Sequence, residues 1–407
     1  MTARETRAIL DALQAKGTVV RFVGGCVRDA VLGRSAKDID IATPDPPKAV
    51  MKLLRKAGLK VVPTGLQHGT VTGVADHHPF EITTLREDVE TDGRRADVAF
   101  TDSWIADASR RDFTMNAMFC DADGTLYDPF DGRADLLAGR VRFVGEAEQR
   151  IREDYLRLLR FFRFHAHYGR GDPDPAGLAA AARHAEGLAG LSAERVRDEL
   201  FKLLVAAEPA PVVRLMHRHA ILTAVLPHHI DADRLAALAA IESRHDLNAD
   251  PLRRLAASFD LERDTADALA RRLRLSRHQR KRLGRMVADD ASDPAPDAPG
   301  HALRVALYRI GRQIVYDRVL LAAAAREAAG DRVDPDALAV VLADIDAWRP
   351  KHLPVTGADV RAQGVKPGPR VGMILRDLEA WWIARDFQPD RVECLARLDA
   401  LMGSDRG

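Results

Sequence analysis

Asp38 and Asp40 stand two apart in the run Lys37-Asp38-Ile39-Asp40-Ile41-Ala42-Thr43, which alternates polar and apolar residues as a half-buried strand does. On a strand both carboxylates leave one face while Ile39 and Ile41 leave the other. Two hard oxygen donors converging in this way suit one or two Mg2+ ions that bridge phosphate oxygens, activate an attacking hydroxyl and stabilise a leaving oxygen. A solvated strand face carries the same D-x-D pattern, so the pair needs its context. Upstream, Gly24 and Gly25 allow close backbone approach, the helix expected after them has a positive N-terminus, and Arg28 adds a cation one turn in. Together these describe a cradle for a triphosphate. The chain contains neither G-x-x-x-x-G-K-[ST] nor G-x-G-x-x-G, which leaves the P-loop and dinucleotide-binding classes without support.

The elements that must hold these residues are legible nearby. The β-branched run at 18–23 predicts a strand, and Cys26 to Gly33 a helix of one to two turns closed by glycine. Thr43, Asp45, Pro46 and Pro47 supply cap and first-turn signals for a helix over about 47–57, and strands are expected around 69–75 and 80–85. Residues 86–97 lack apolar periodicity and read as a mobile charged loop. From about 140 onward Ala, Leu and Arg recur at helical spacing. The fold class is therefore α+β, a small sheet-and-helix head followed by helices. An acidic Pro/Ala-rich stretch at 288–300 reads as a linker between two helical parts.

Composition sets the outer bounds. The 407 residues, at about 150 per domain, make two to three domains. With 46% hydrophobic and 30% charged residues the chain is globular, and no run approaches the roughly 18 apolar residues of a membrane helix. The first residues lack the apolar core and small-residue cleavage site of an export signal. Three scattered cysteines without a C-x-x-C pair fit a reducing compartment, so a cytoplasmic location is expected. No Cys/His spacing suggests zinc. A net charge of +1 is uninformative globally, yet 271–285 holds eight Arg or Lys and no acid. That run is either a phosphate-backbone footprint or a solvated helix face.

The whole stretch GGCVRDAVLGRSAKDIDIAT at 24–43 resembles the signature of the class II tRNA nucleotidyltransferases (CCA-adding enzymes) and bacterial poly(A) polymerases. Further motifs follow in the family's order: Phe80 to Arg86, RRDFTMNAM at 110–118, DPFDGRADL at 128–136, EDYLRLLRFFRF at 153–164 and ERVRDELFKLL at 194–204. The resemblance covers the first 205 or so residues strongly and the rest weakly. It implies a nucleotidyltransferase head over 1–140, a base-recognising helical neck over 141–205, a helical body over 206–300 and a tRNA-binding tail over 301–407. Asp38 and Asp40 would ligate magnesium, with Glu81 a candidate third carboxylate. Gly25, Arg28 and Arg111 would contact the triphosphate, and Asp112 and Asn116 the ribose. Without the upstream signature, the Arg110 to Met118 run would read as an exposed loop feeding a strand. His245-Asp246, weighed against the metal phosphohydrolase domain of some family members, reads as a surface loop pair.

Asp154, Arg157, Arg160 and Arg163 recur every third residue on an expected helix. At about 100° per residue the stripe winds, so that Arg163 lies opposite Asp154. Such a series can be a set of i,i+3 ion pairs. The family resemblance implies instead that it binds the incoming nucleotide, with the base at Asp154 and Arg157 and the phosphates further along. Cytosine and adenine each present an amino donor beside a ring acceptor, which an Asp facing an Arg complements; uracil and guanine reverse that order. The activity implied is addition of CMP and AMP from CTP and ATP to a tRNA 3′ end, with magnesium as cofactor. A poly(A) polymerase shares the head, but its G-[RK]-[RK]-F run is replaced here by Thr64 to Thr70. Enzymes adding only CC or only A, and a catalytically silent RNA-binding module, are the remaining alternatives.

Overall fold

The β-branched and alternating runs near the N-terminus fold as strands. A computed structural model describes residues 2–36, 38–92, 95–223, 225–226, 229–259, 261–288, 295–297 and 299–404. The strands are β1 (Arg21–Val23), β2 (Asp40–Thr43), β3 (Lys60–Gly65), β4 (Thr70–Ala75), β5 (His78–Thr84), β6 (Arg86–Asp92), β7 (Arg95–Phe100), β8 (Phe119–Cys120) and β9 (Leu126–Tyr127). They form a mixed sheet in the order β3-β4-β5-β2-β1-β8-β9, in which β2 runs parallel to β5. With them come helices α1 (Arg4–Gln14), α2 (Gly25–Val31) and α3 (Pro47–Lys56).

Gly73 of β4 shows which face of the sheet is covered. A Cβ there would stand 3.1 to 3.2 Å from the tips of Ile82, Ile9 and Leu54, so the absence of a side chain lets α1 and α3 seat on the strands. Ile82 therefore points toward α1 and α3, and Ile41, its registered partner on β2, points the same way. By the two-residue period of a strand, Asp40 and Glu81 leave the opposite face. The strand begins at Asp40, and Asp38 lies in the exposed bend before it. The expectation that both aspartates project from one strand face is thus corrected.

The charged stretch after β5 is not a loop. β6 and β7 pair antiparallel from Arg86 opposite Phe100 to Asp92 opposite Arg95, as a separate two-stranded ribbon. Polar residues without apolar alternation can pair this way because backbone hydrogen bonds, not a buried face, define the ladder.

Beyond the sheet lie α4 (Trp104–Ser109), α5 (Gly132–Ala138), α6 (Ala147–Glu153), α7 (Leu156–Tyr168), α8 (Pro175–Arg183), α9 (Ala193–Leu204) and α10 (Ala210–Arg218). Phe113 packs on Phe164 with ring centres 5.1 Å apart and on Phe143 at 4.8 Å, and Phe143 stacks on Phe161. This aromatic core pins the segment at 112–113 against α7.

The chain divides into two compact units, 1–228 and 229–407. The second contains α11 (Ala232–Arg244), α12 (Pro251–Ala257), α13 (Arg263–Arg272), α14 (Arg277–Met286), α15 (His301–Ile310), α16 (Arg312–Ala328), α17 (Pro335–Ala347), α18 (Gly357–Ala362), α19 (Pro369–Ala384) and α20 (Arg391–Ser404). Residues from α11, α15, α16 and α17 share one apolar core, and Trp382 is buried in another with Leu378, Phe387 and Leu398. Glu242 lies buried among guanidiniums, accepting from Arg253 and Arg254, while Asp317 accepts from Arg253 and Arg282. Much of the expected linker, 289–294 and 298, lies outside the described residues. Among the described residues no helix is long and apolar enough to cross a membrane.

Candidate active site

Asp40 opens β2 in register with Glu81 of β5. Burial, then the charges of Glu81 and Asp38, push the Asp40 carboxyl above its ordinary range, with the Arg111 guanidinium opposing them. Negative charge is therefore crowded here, as it is where a cation is to be held. Among the described residues no three His, Cys, Asp or Glu side chains are gathered closely enough to cage a metal unaided. A hard-oxygen pair completed by phosphate oxygens and water is the pattern that Mg2+ favours, and the registered carboxylates of Asp40 and Glu81 are such a pair.

In front of Asp40 lies a pocket of about 400 Å3. Gly24, Gly25 and Arg28 form one wall, Arg111, Asp112 and Asn116 another, and Asp154, Leu156, Arg157, Arg160, Phe164 and Arg195 the third. Gly24 has φ of +70°, and a Cβ on it would approach an Arg111 guanidinium nitrogen at 3.3 Å. Glycine thus suits the turn, and any side chain there would crowd that cation. Arg111 is aimed by Asp107, a carboxylate 1% exposed, which accepts from its Nε at 3.2 Å and Nη2 at 2.9 Å and also binds Arg110.

The other cations are fixed by a continuous chain of bonds. Arg28 donates to Asn116 Oδ1 at 2.8 Å, Asn116 Nδ2 donates to Asp112 Oδ1 at 3.0 Å, and Arg160 Nε donates to Asp112 Oδ2 at 2.7 Å. Burial alone would raise the Asp112 carboxyl, but Arg160, Asn116 and the Phe113 amide hold it below the usual carboxylate range. Asp112 in turn keeps the Arg160 guanidinium charged against its burial. Five guanidiniums and three carboxylates line the pocket, a surplus of positive charge suited to a polyphosphate.

At the far end the helix breaks. α6 ends at Glu153, and Asp154 is extended with φ of −153° before α7 begins. The single striped helix expected from the sequence is therefore two helices with Asp154 in the joint, and the i,i+3 ion-pair series does not form. Asp154 Oδ1 accepts from the Leu156 amide at 3.1 Å and Oδ2 from Arg195 at 2.7 Å. Arg157 pairs with Glu153. Each carboxylate oxygen of Asp154 retains acceptor capacity.

Gly25, Arg28, Asp40, Arg111, Asp112, Asn116, Asp154, Arg157 and Arg160 thus meet in one pocket. Asp38, Glu81 and Arg163 are not among its walls; Arg163 instead pairs with Glu199 of α9 at 3.0 Å. Sequence reasoning missed Asp107, Phe164 and Arg195. The segment 194–204 stood out as a motif, and only tertiary packing reveals that Arg195 reaches Asp154. His245 caps α11 and Asp246 is exposed. In the 271–285 run Arg282 turns inward to Asp317 and Asp250, whereas Arg277 and Lys281 are exposed.

A family model described as the poly A polymerase head domain matches residues 20–142, and one described as a probable RNA and SrmB-binding site of polymerase A matches 172–233. The chain is 34% identical to the mitochondrial CCA tRNA nucleotidyltransferase 1 of Homo sapiens, covering 93% of this chain and 86% of that one. It is 34% identical to the CCA-adding enzyme of Levilactobacillus brevis, with 92% and 91% covered. The structure of the Bacillus stearothermophilus CCA-adding enzyme in complex with CTP matches at a TM-score of 0.79 and 27% identity, covering 99% and 98%. The Thermotoga maritima enzyme complexed with tRNA shares the fold at a TM-score of 0.63 and 19% identity. With the signature of the head, the order of its motifs and similarity along nearly the full chain in agreement, this chain belongs to the CCA-adding tRNA nucleotidyltransferases, which carry the poly(A) polymerase type of head.

Proposed function

We propose that this enzyme adds CMP and then AMP, from CTP and ATP, to the 3′ end of tRNA in the cytoplasm, without a nucleic-acid template. The observation that carries this reading is one pocket joining Asp40, the guanidiniums of Arg28, Arg111 and Arg160, and the Asp154–Arg157 edge. The tRNA 3′-hydroxyl oxygen attacks the α-phosphorus, the bond to the β-phosphate oxygen breaks, and pyrophosphate leaves. Arg28, Arg111 and Arg160 hold the triphosphate and meet the charge that gathers on the leaving oxygens. Gly25 lets that phosphate chain approach the backbone. Asp112 and Asn116 orient the ribose, and Arg163 is a more distant contributor through Glu199. Asp38 and Asp40, with Glu81, would hold Mg2+, which when bound supplies activation of the hydroxyl and neutralisation of the phosphates.

Asp154 accepts from the amino group of cytosine or adenine, and Arg157 donates to the ring. The division into head 1–140, neck 141–205, body 206–300 and tail 301–407 assigns chemistry and base reading to the first two and tRNA binding to the last two. The exposed cations of α14 and the glycine turns at Gly364 and Gly368 before α19 are suited to phosphate backbone. Asp40→Ala tests the assignment: turnover with both nucleotides falls to a few per cent or less, while tRNA affinity is unchanged within error. Substantial turnover in that variant would place the metal site elsewhere.

A further inference from the structure

Phe164 lies in the wall of the nucleotide pocket, yet it is 6% exposed and can offer a ligand little surface of its own. Its surroundings indicate another role. The guanidinium carbons of Arg28, Arg160 and Arg163 stand 5.4, 5.4 and 4.4 Å from its ring centre. One helical turn on, Tyr168 stacks beside it at 5.8 Å and 26°, and carries Arg28 at 4.3 Å and Arg34 at 5.4 Å. Two rings of α7 thus underlie four guanidiniums.

Cations gathered without a ligand repel one another, and flexible arginines relieve that repulsion by swinging into solvent. Polar partners restrain one side of each: Asn116 and Asp29 for Arg28, Asp112 for Arg160, Glu199 for Arg163. An aromatic face carries negative potential and attracts a guanidinium lying over it, which an aliphatic side chain of equal bulk cannot do. We propose that Phe164 and Tyr168 are positioning residues, an aromatic shelf that holds Arg28 and Arg160 in the triphosphate-binding geometry before the nucleotide arrives. The inference rests on the reading of this pocket as the nucleotide site. Ordering the cations in advance removes that cost from binding, so the shelf strengthens the triphosphate interaction alike for CTP and ATP.

The test uses the full-length enzyme with F164L, Y168L, Y168F and R160A. Readouts are kcat and KM for CTP and ATP, discrimination against UTP and GTP, and competitive inhibition by inorganic tripolyphosphate, which probes the cradle without a base. Of the three cation contacts that F164L loses, those of Arg28 and Arg160 face the triphosphate, and their loss raises KM for both nucleotides, and the inhibition constant of tripolyphosphate, by roughly ten-fold. Discrimination and kcat change little. Y168L follows in the same direction, and Y168F, which keeps the ring, stays near wild type. Tyr168 is only half-buried, so the Y168L and Y168F pair decides the matter should F164L fold poorly. Unchanged KM and tripolyphosphate inhibition in F164L or Y168L, with R160A still impaired, would overturn the shelf alone. If R160A also leaves them unchanged, the nucleotide reading of the pocket falls. Lost discrimination at constant KM in F164L would make Phe164 a base-shaping residue and equally overturn the proposal.

Discussion

Replacing Asp154 by alanine separates base reading from helix architecture. The side chain has two structural bonds, to the Leu156 amide and to Arg195. The side chains of Arg195 and Asp154 are 44% and 30% exposed, so their ion pair contributes at most about 1 kcal/mol. The bond to the start of α7 resembles a helix cap, which contributes about 1 kcal/mol. Together these lower Tm by only a few degrees for a unit of this size. The proposed recognition role predicts a larger kinetic effect. Uracil or guanine would place a carbonyl against the Asp154 carboxylate and an N–H donor against Arg157, and each such mismatch costs about 1–3 kcal/mol. Asp154→Ala therefore relaxes discrimination against UTP and GTP by roughly 10- to 100-fold. The assay is single-turnover kcat/KM for all four nucleotides on matched tRNA acceptors, well below Tm, beside a thermal melt. Wild-type selectivity accompanied by a lowered Tm would rule out base reading by Asp154 and leave it as a joint between α6 and α7.

Three further outcomes are expected. Deleting residues 90–94 from the β6–β7 ribbon slows A addition more than C addition in separate rate measurements, since a two-stranded ribbon outside the main sheet can shift as the site changes between nucleotides; equal slowing would remove its link to specificity. Asp112→Asn lowers stability at neutral pH. Because the folded carboxyl titrates below its ordinary value, its contribution is present above the unfolded pKa of about 3.9 and is lost as pH falls through the folded pKa. The Tm difference from wild type should therefore shrink only in strong acid, and a difference that fades between pH 7 and 5 would contradict the ionised pairing. Glu242→Ala leaves Arg253 and Arg254 buried without their shared carboxylate, which costs about 3–5 kcal/mol. Denaturant melts should register that loss while KM for CTP stays at wild type.

The head was legible because its chemistry depends on local pattern. The alternation around Asp40, the Pro46-Pro47 start of α3 and the glycine pair before α2 each specify an element from within a few residues. The parts that escaped depend on tertiary partners. Asp38 falls outside β2 because pairing starts at Asp40, which alternation alone cannot reveal. The ribbon at 86–100 is set by backbone pairing between β6 and β7, and its sequence carries no apolar alternation to announce it. The break at Asp154 contradicts an otherwise continuous helical pattern, and Arg195, 41 residues further on, fixes the side chain there. Likewise, eight cations in one run read as a single surface until Asp317 draws Arg282 inward.

Template-free synthesis of C-C-A is tested most directly by product sequence. Purified enzyme is given tRNAs ending at the discriminator base, after C, and after CC, each with CTP alone, ATP alone or both. The expected products are two C residues on the first acceptor, one on the second, and a single A on the third, with growth stopping at CCA. Processive adenylation of these or of arbitrary RNA would contradict it, and arrest at CC or action only on the CC acceptor would reduce the enzyme to half of the reaction.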